Sequence, residues 1–188
     1  MSFSKIVLTI IASLVLFKFI LSEKGQHFYY RYLTCNVSDE FVYPNYTCYA
    51  KSFNRSFSAE SVSLTLRKPL YQVFIDCKMM YKYGTIYREI MRFDNIDFCK
   101  IMEEGSKNKL VQAHYGLFNE SVPGVLHKCP YTSIDISNQA IDANKVPSIF
   151  PSGEYKNIFG YDTKDRKMIV ESTSVLTITS SIKDSFGK

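Results

Sequence analysis

His127 and Cys129 come closest to a reactive pair in this chain, a thiol nucleophile beside an imidazole base. A disulfide bond would consume that thiol, and we therefore interpret Cys129 as a structural cysteine. Ser180 and Lys183 match the Ser-x-x-Lys spacing of one hydrolase class, but the partner motifs of that class are absent from the sequence. The sequence therefore predicts no catalytic residue, no metal ligand and no cofactor.

Two acidic pairs could support acid–base chemistry: Glu103 with Glu104, and Asp94 with Asp97. Glycoside hydrolysis needs two carboxylates aimed at one bond, and nothing in the sequence positions either pair in that way. Solvated turn positions explain both pairs better. We expect a protein that is not an enzyme, and a hydrolase is kept only as a third hypothesis.

The first 22 residues are organised like a secretory signal peptide. Lys5 precedes an uncharged apolar run from Ile6 to Phe17. This run is shorter than the roughly 20 residues that cross a bilayer, and it fits the apolar core of a cleaved signal. A signal anchor is the competing interpretation. We expect residues 1–22 to be removed and residues 23–188 to fold as a single domain.

Five cysteines remain after such a cleavage: Cys35, Cys48, Cys77, Cys99 and Cys129. In an oxidising compartment they should form two disulfides and leave one thiol, and the sequence alone leaves the pairing open. Cys77 alternates with apolar residues, which favours a small buried thiol at that position. On that hypothesis Cys35 with Cys48 and Cys99 with Cys129 would close two local loops.

Four Asn-x-Ser/Thr sequons agree with secretion, at Asn36, Asn45, Asn54 and Asn119. The first three lie close together and predict an exposed flank. The formal net charge of +5 comes from interspersed basic and acidic residues without a clustered basic face, so no nucleic-acid partner is expected. We therefore predict a secreted, extracellular glycoprotein.

Aromatic and β-branched residues recur in short runs separated by turn residues, a pattern typical of strands. The clearest run is Ser61–Arg67, in which Val62, Leu64 and Leu66 face one way. We expect Pro69 to end this strand.

Tyr71–Tyr81 and Ile86–Phe93 flank turn residues 82–84 and predict a β-hairpin. On the second arm, Tyr87, Met91 and Phe93 are expected to share a face. A helix is predicted at Asn108–Phe118, where apolar residues recur with helical spacing. The other predicted strands are His27–Val37, Tyr46–Phe53, Thr132–Ile136, Tyr155–Tyr161, Lys167–Glu171 and Val175–Ile182. Seven or eight short strands with one short helix predict an all-β fold, a two-sheet β-sandwich.

Three short motifs follow one another in the second half of the chain: Asp97-x-Cys99, Cys129-Pro130-Tyr131 and Gly153-Glu154-Tyr155. Together they resemble the pattern of an insect family of secreted proteins, a domain of unknown function that includes the chemosensory B-like proteins. That family is similar in turn to the ML lipid-recognition superfamily. The resemblance covers residues 32–182. It implies an immunoglobulin-like sandwich whose sheets can separate to admit an acyl chain or a sterol, and it implies the pairing of Cys99 with Cys129.

On this resemblance we expect a secreted, non-enzymatic binder of a lipid or other hydrophobic small molecule. The chemosensory members associate the family with the detection of contact pheromones or tastants. A membrane receptor is a further candidate partner, and the oligomeric state stays open. The rival hypothesis is a solid-cored extracellular module that binds a protein through aromatic residues such as Phe28-Tyr29-Tyr30. The residues expected to line a ligand cavity are Val62, Leu64, Leu66, Val73, Ile75, Met91 and Phe93.

Overall fold

The computed structural model describes residues 26–54, 57–105, 112, 125–141 and 150–180. These ranges contain eight strands and one short helix, α1 (Phe98–Glu104). The strands are β1 (Gln26–Val37), β2 (Thr47–Ser52), β3 (Ser58–Leu70), β4 (Phe74–Tyr83), β5 (Ile86–Asp97), β6 (Tyr131–Gln139), β7 (Gly153–Asp162) and β8 (Met168–Ser180). The predicted signal peptide, Asn119 and the predicted helix at Asn108–Phe118 except for Gln112 lie outside the described residues.

Two antiparallel sheets form the fold. The larger sheet has the strand order β1-β8-β7-β4-β5, and the smaller one has the order β2-β3-β6. The expected all-β, two-sheet β-sandwich with one short helix is therefore confirmed. Among the residues that the structure describes, no helix is long and apolar enough to cross a membrane.

Two core clusters join the sheets. The first cluster is built from both sheets and from the segments beside them, and its buried members are Val42, Leu64, Leu66, Val73, Cys99, Tyr131, Ile169 and Val170. The second cluster consists of Tyr30, Tyr155, Leu176 and Ile178 on the larger sheet, and Ala50 of the smaller sheet packs against it. Burying these apolar faces against each other holds the two sheets together.

Strand β8 runs without a break, whereas the sequence predicted two strands, Lys167–Glu171 and Val175–Ile182. Thr173, in the intervening stretch, pairs with Thr34 of β1 and with Ile158 of β7. Backbone hydrogen bonds to β1 and β7 therefore hold the polar residues 172–174 in strand conformation. The alternation of apolar residues in the sequence does not reveal this pairing. Strand β3 likewise continues past the expected end at Pro69, to Leu70.

The hairpin of β4 and β5 forms, with Gly84 in a left-handed conformation (φ 61°) just after Tyr83. The register shifts between Met79 and Met80. Met79 pairs with Met91, whereas the next residue, Met80, pairs with Glu89, so Ile90 is an extra residue on β5. The extra residue on β5 reverses the alternation there. The expectation that Tyr87 shares a face with Met91 is therefore wrong.

Candidate functional site

The Asp-x-Cys and Cys-Pro-Tyr motifs lie side by side because a disulfide joins Cys99 to Cys129. Asp97 is the N-cap of α1, and its carboxylate accepts a hydrogen bond from the backbone N–H of Lys100 at 3.0 Å. An aspartate at this position pairs one of the free N–H groups at the helix start. The sequence did not predict this short helix, although an aspartate before an apolar run is a start signal.

Of the remaining three cysteines, Cys35 and Cys48 form a second disulfide, and Cys77 is a buried free thiol. These are the same pairs as those expected from the sequence. Burial raises the pKa of the Cys77 thiol to about 11, so the reactive thiolate is scarce at neutral pH. Because Cys129 is bonded to Cys99, it offers no nucleophile to His127.

Tyr131 anchors the loop that precedes β6. Its buried hydroxyl lies 2.8 Å from the carbonyl oxygen of Val125 and 2.7 Å from that of His127. The His127 ring stacks on the Tyr131 ring at a centroid distance of 4.2 Å. The aromatic residue of the Cys-Pro-Tyr motif therefore has a structural role, as does the neighbouring histidine.

Glu154, the acidic residue of the Gly-Glu-Tyr motif, faces outward and contacts three polar side chains. Its carboxylate accepts hydrogen bonds from Lys82 at 2.7 Å and from the Tyr87 hydroxyl at 2.6 Å, and it lies 3.5 Å from Arg31. The hydrogen bond from Lys82, followed by that from Tyr87, lowers the pKa of this carboxyl. Glu154 thus ties β1, β4 and β5 to β7 across the outer face of the larger sheet.

The other two residues of this motif, Gly153 and Tyr155, have structural roles. The Tyr81 hydroxyl lies 2.5 Å from where a Cβ on Gly153 would be, so only glycine fits. Tyr155 is 1% exposed, and its hydroxyl donates to the carbonyl oxygen of Pro151 at 2.7 Å. All three motifs therefore stabilise the fold.

The seven candidate cavity residues fall into two groups. Val62, Leu64, Leu66 and Val73 belong to the first core cluster or pack against it. The other three lie on β4 and β5, are half-buried and belong to neither cluster: Ile75, Met91 and Phe93.

Two polar residues of the interior were missed by sequence reasoning. Glu60 lies two residues before Val62 and therefore shares its inward face. Burial raises the pKa of its carboxyl to about 7, and the carboxyl is close enough to Tyr30 to add to the rise that burial causes in the pKa of the tyrosine hydroxyl. Asn157 lies on the inner face of β7, two residues after Tyr155, and is 8% exposed. In both cases the available sequence signal was a spacing of two residues from an inward-facing apolar residue on the same strand.

A cleft of about 300 Å³ on the outer face of the larger sheet is lined mainly by charged residues. Arg166 pairs there with Asp76 and lies 3.4 Å from Asp162, while Arg92 lies 2.7 Å from Asp94. These pairs largely neutralise the charges, which makes a charged ligand a poor fit. Within the described ranges, no group of three or more His, Cys, Asp or Glu side chains is placed to hold a metal ion.

Three of the four sequon asparagines, Asn36, Asn45 and Asn54, are exposed on or beside β1 and β2. The expected exposed flank therefore lies on β1, at the edge of the larger sheet opposite to β5, and beside β2, at one edge of the smaller sheet.

Comparison with known proteins gives one family match. The family described as Protein of unknown function (DUF1091) matches residues 75–157, less than half of the chain but a stretch that contains all three motifs. No curated protein matches the sequence.

Solved structures similar to this chain include chicken MD-1 complexed with lipid IVa, with 10% identity, 85% of this chain and 94% of that chain covered, and a TM-score of 0.36. A Niemann-Pick type C2 protein from Japanese carpenter ant has 10% identity, covers 85% of this chain and 95% of its own, and has a TM-score of 0.28. At these values neither structure defines a site in this chain. The central segment thus matches a family of proteins of unknown function.

Proposed function

We propose that this protein is a secreted, non-enzymatic binder of a lipid or other hydrophobic small molecule held between its two sheets. The supporting observation is the half-buried apolar surface on the inner side of β4 and β5. Met91 pairs with Met79, and Phe93 pairs with the buried Cys77, so both face the interior. With Ile75 they form apolar surface that neither core cluster uses.

An apolar ligand on this surface would be held by removing hydrocarbon from water. Each buried methylene contributes about 0.8 kcal/mol, so a chain of roughly sixteen carbons supplies about 13 kcal/mol, which leaves about 8 kcal/mol after an immobilisation cost of about 5 kcal/mol. Micromolar binding is therefore within reach of an acyl chain alone. The first core cluster, with Val62, Leu64, Leu66 and Val73, would form one wall of the site.

Secretion is part of the same proposal. Two disulfides are typical of proteins from oxidising compartments, and the exposed sequon asparagines would carry glycans on the β1 side. Glycans there would leave the β5 edge accessible. A role in chemosensation or pheromone perception, and a membrane receptor as partner, rest on the sequence motifs alone.

Native mass spectrometry of the secreted glycoprotein, before and after solvent extraction, tests this function. We expect a stoichiometric apolar adduct that leaves on extraction and rebinds. Ile75→Glu should abolish rebinding, because a carboxylate would be placed on the ligand surface. The matched control is Ile86→Glu at the hairpin tip, where the side chain is 62% exposed. The proposal fails if no adduct is found and added lipids do not displace an apolar fluorescent probe.

A protein-binding module remains the second candidate, because five aromatic residues around β2 are exposed: Tyr43, Tyr46, Tyr49, Phe53 and Phe57. The segment first considered for this role fits less well, since Tyr30 is buried in the second core cluster and Phe28 packs against that cluster. The sequons at Asn45 and Asn54 flank the exposed set, so attached glycans would compete with a partner for this surface.

A further inference from the structure

The interior of the sandwich contains a carboxyl group between its two apolar clusters. Glu60 pairs with Ala50 of β2, whose side chain packs against the second cluster. Burial raises the pKa of the hydroxyls of Tyr30, on the opposite sheet, and of Tyr161, and the Glu60 carboxyl is close enough to both tyrosines to raise these pKa values further. Glu60 therefore reaches across the gap between the sheets.

Asn157 presents a second polar group from the larger sheet. Its side-chain oxygen is buried and accepts no hydrogen bond from any residue within the described ranges. It pairs with Ser174, which is also buried, and with Met79. A buried acceptor without a donor is unusual in a folded protein, and a bound ligand is one group that can supply the donor.

The two groups face the same part of the interior. Tyr30 pairs with Leu176, which pairs in turn with Tyr155, two residues before Asn157. Tyr161, the other tyrosine close to Glu60, lies four residues after Asn157 on the same face of β7. Tyr30 and Tyr161 therefore lie on either side of Asn157 along the sheet, and both are close enough to Glu60 for its charge to add to the rise that burial causes in their pKa values.

We infer that Glu60 and Asn157 form an interior polar subsite that takes the hydroxyl group of a hydrophobic alcohol. This inference rests on the proposed function and specifies its ligand class. A hydroxyl can donate to the Asn157 oxygen and accept from a protonated Glu60. A hydrocarbon supplies no donor. A fatty-acid carboxylate supplies no donor either and would place a negative charge beside Glu60.

Competition against the fluorescent apolar probe N-phenyl-1-naphthylamine, with dodecanol, dodecane and dodecanoate as competitors at pH 6, tests the subsite. We expect dodecanol to displace the probe at about tenfold lower concentration than the other two, the scale of one added buried hydrogen bond. Asn157→Leu and Glu60→Leu should each remove this preference and leave dodecane unchanged. Glu104→Leu, at an exposed glutamate of α1, is the control.

The outcomes separate the two proposals. Equal displacement by dodecanol and dodecane would overturn the subsite, because water alone would then satisfy Asn157, and would leave the proposed function standing. Failure of all three competitors would overturn the proposed function itself. If Asn157→Leu does not fold, as judged by circular dichroism, Glu60→Leu decides: a preference for dodecanol that survives this change contradicts the inference.

Discussion

Glu60 couples protonation to folding at the scale of a single residue. Burial raises the pKa of its carboxyl from 4.5 to about 7. Between these two values the native state holds a proton that the unfolded chain has released, so the free energy of unfolding falls as the pH rises through this window. Tyr30 and Tyr161 face the carboxyl, and both have pKa values raised above their normal value. Glu60 is therefore the group that titrates there.

We predict that Glu60→Gln removes this dependence. Between pH 4 and pH 8 the wild-type protein should lose about 3 kcal/mol more unfolding free energy than the variant, at about 1.4 kcal/mol for each pH unit of displaced pKa. Urea denaturation at several pH values measures the difference. Glu104→Gln, on the exposed side of α1, should follow the wild type. Parallel pH profiles for the wild type and Glu60→Gln would show that the Glu60 carboxyl titrates normally.

At this scale, sequence reasoning found the residues that follow apolar alternation and missed those that interrupt it. Leu64 and Leu66 were placed on a common face of β3 because their sequence neighbours are polar, and both are buried in the first core cluster. Glu60 sits in the same alternating set, but a charged residue is normally read as exposed. Asn157 was missed for the same reason, because a polar side chain two residues after the buried Tyr155 is also normally read as exposed.

At the scale of the secondary-structure elements, Gly153 marks the place where β7 passes the Tyr81 ring. A methyl group at this position would meet the tyrosine ring well inside contact distance. We predict that Gly153→Ala lowers the free energy of unfolding by about 1–3 kcal/mol, the usual cost of overpacking. Gly160→Ala in the same strand is the matched control, since its nearest neighbour, the Asp76 side chain, is 3.9 Å away. Equal thermal stability of the two variants would contradict this account.

The Tyr131 hydroxyl connects β6 to the loop before it. Tyr131→Phe keeps the ring and its contact with His127 but removes the hydroxyl, whose single proton is shared by the carbonyl oxygens of Val125 and His127 and whose oxygen accepts from the backbone N–H of His127. We predict a loss of about 1–2 kcal/mol in unfolding free energy, because these carbonyls are left without their partner. Tyr71→Phe, where the side chain is 70% exposed, should have no effect in the same chemical denaturation experiment. A Tyr131→Phe variant as stable as the wild type would assign the anchoring to the disulfide alone.

Most elements could be predicted from the sequence, and the exceptions have physical causes. β3 was found because side chains of a half-buried strand alternate with a period of two, and β1 and β7 were found because aromatic and β-branched residues are concentrated there. β8 was divided in two because its central residues are polar on the inner face, where Ser174 is buried beside Asn157. Tyr87 was placed on the wrong face because a bulge in an adjacent pair of strands leaves no mark in the hydrophobic pattern.

For the whole molecule, the alternation of apolar and polar residues predicts that each sheet has an apolar face to be covered. It does not predict which strands pair with each other. The order β1-β8-β7-β4-β5 joins the first strand to the last one, and such long-range pairing is set by packing of the complete chain. The same limit applies to the proposed site. Sequence reasoning put seven apolar residues in one group, and only the folded arrangement separates core residues such as Leu64 from half-buried ones such as Phe93.

The difference between buried core residues and half-buried surface residues predicts different consequences for two truncations. Leu64 is 3% exposed within the first core cluster, so Leu64→Ala should cost about 3 kcal/mol of unfolding free energy through the cavity it leaves. Phe93 is half-buried outside both clusters, so Phe93→Ala should cost about half as much while weakening probe binding about tenfold, or about 1.4 kcal/mol. Urea denaturation and fluorescent-probe titration of both variants measure the two effects. If Phe93→Ala loses as much stability as Leu64→Ala and binds the probe as the wild type does, Phe93 is a core residue and the inner surface of β4 and β5 is closed to ligands.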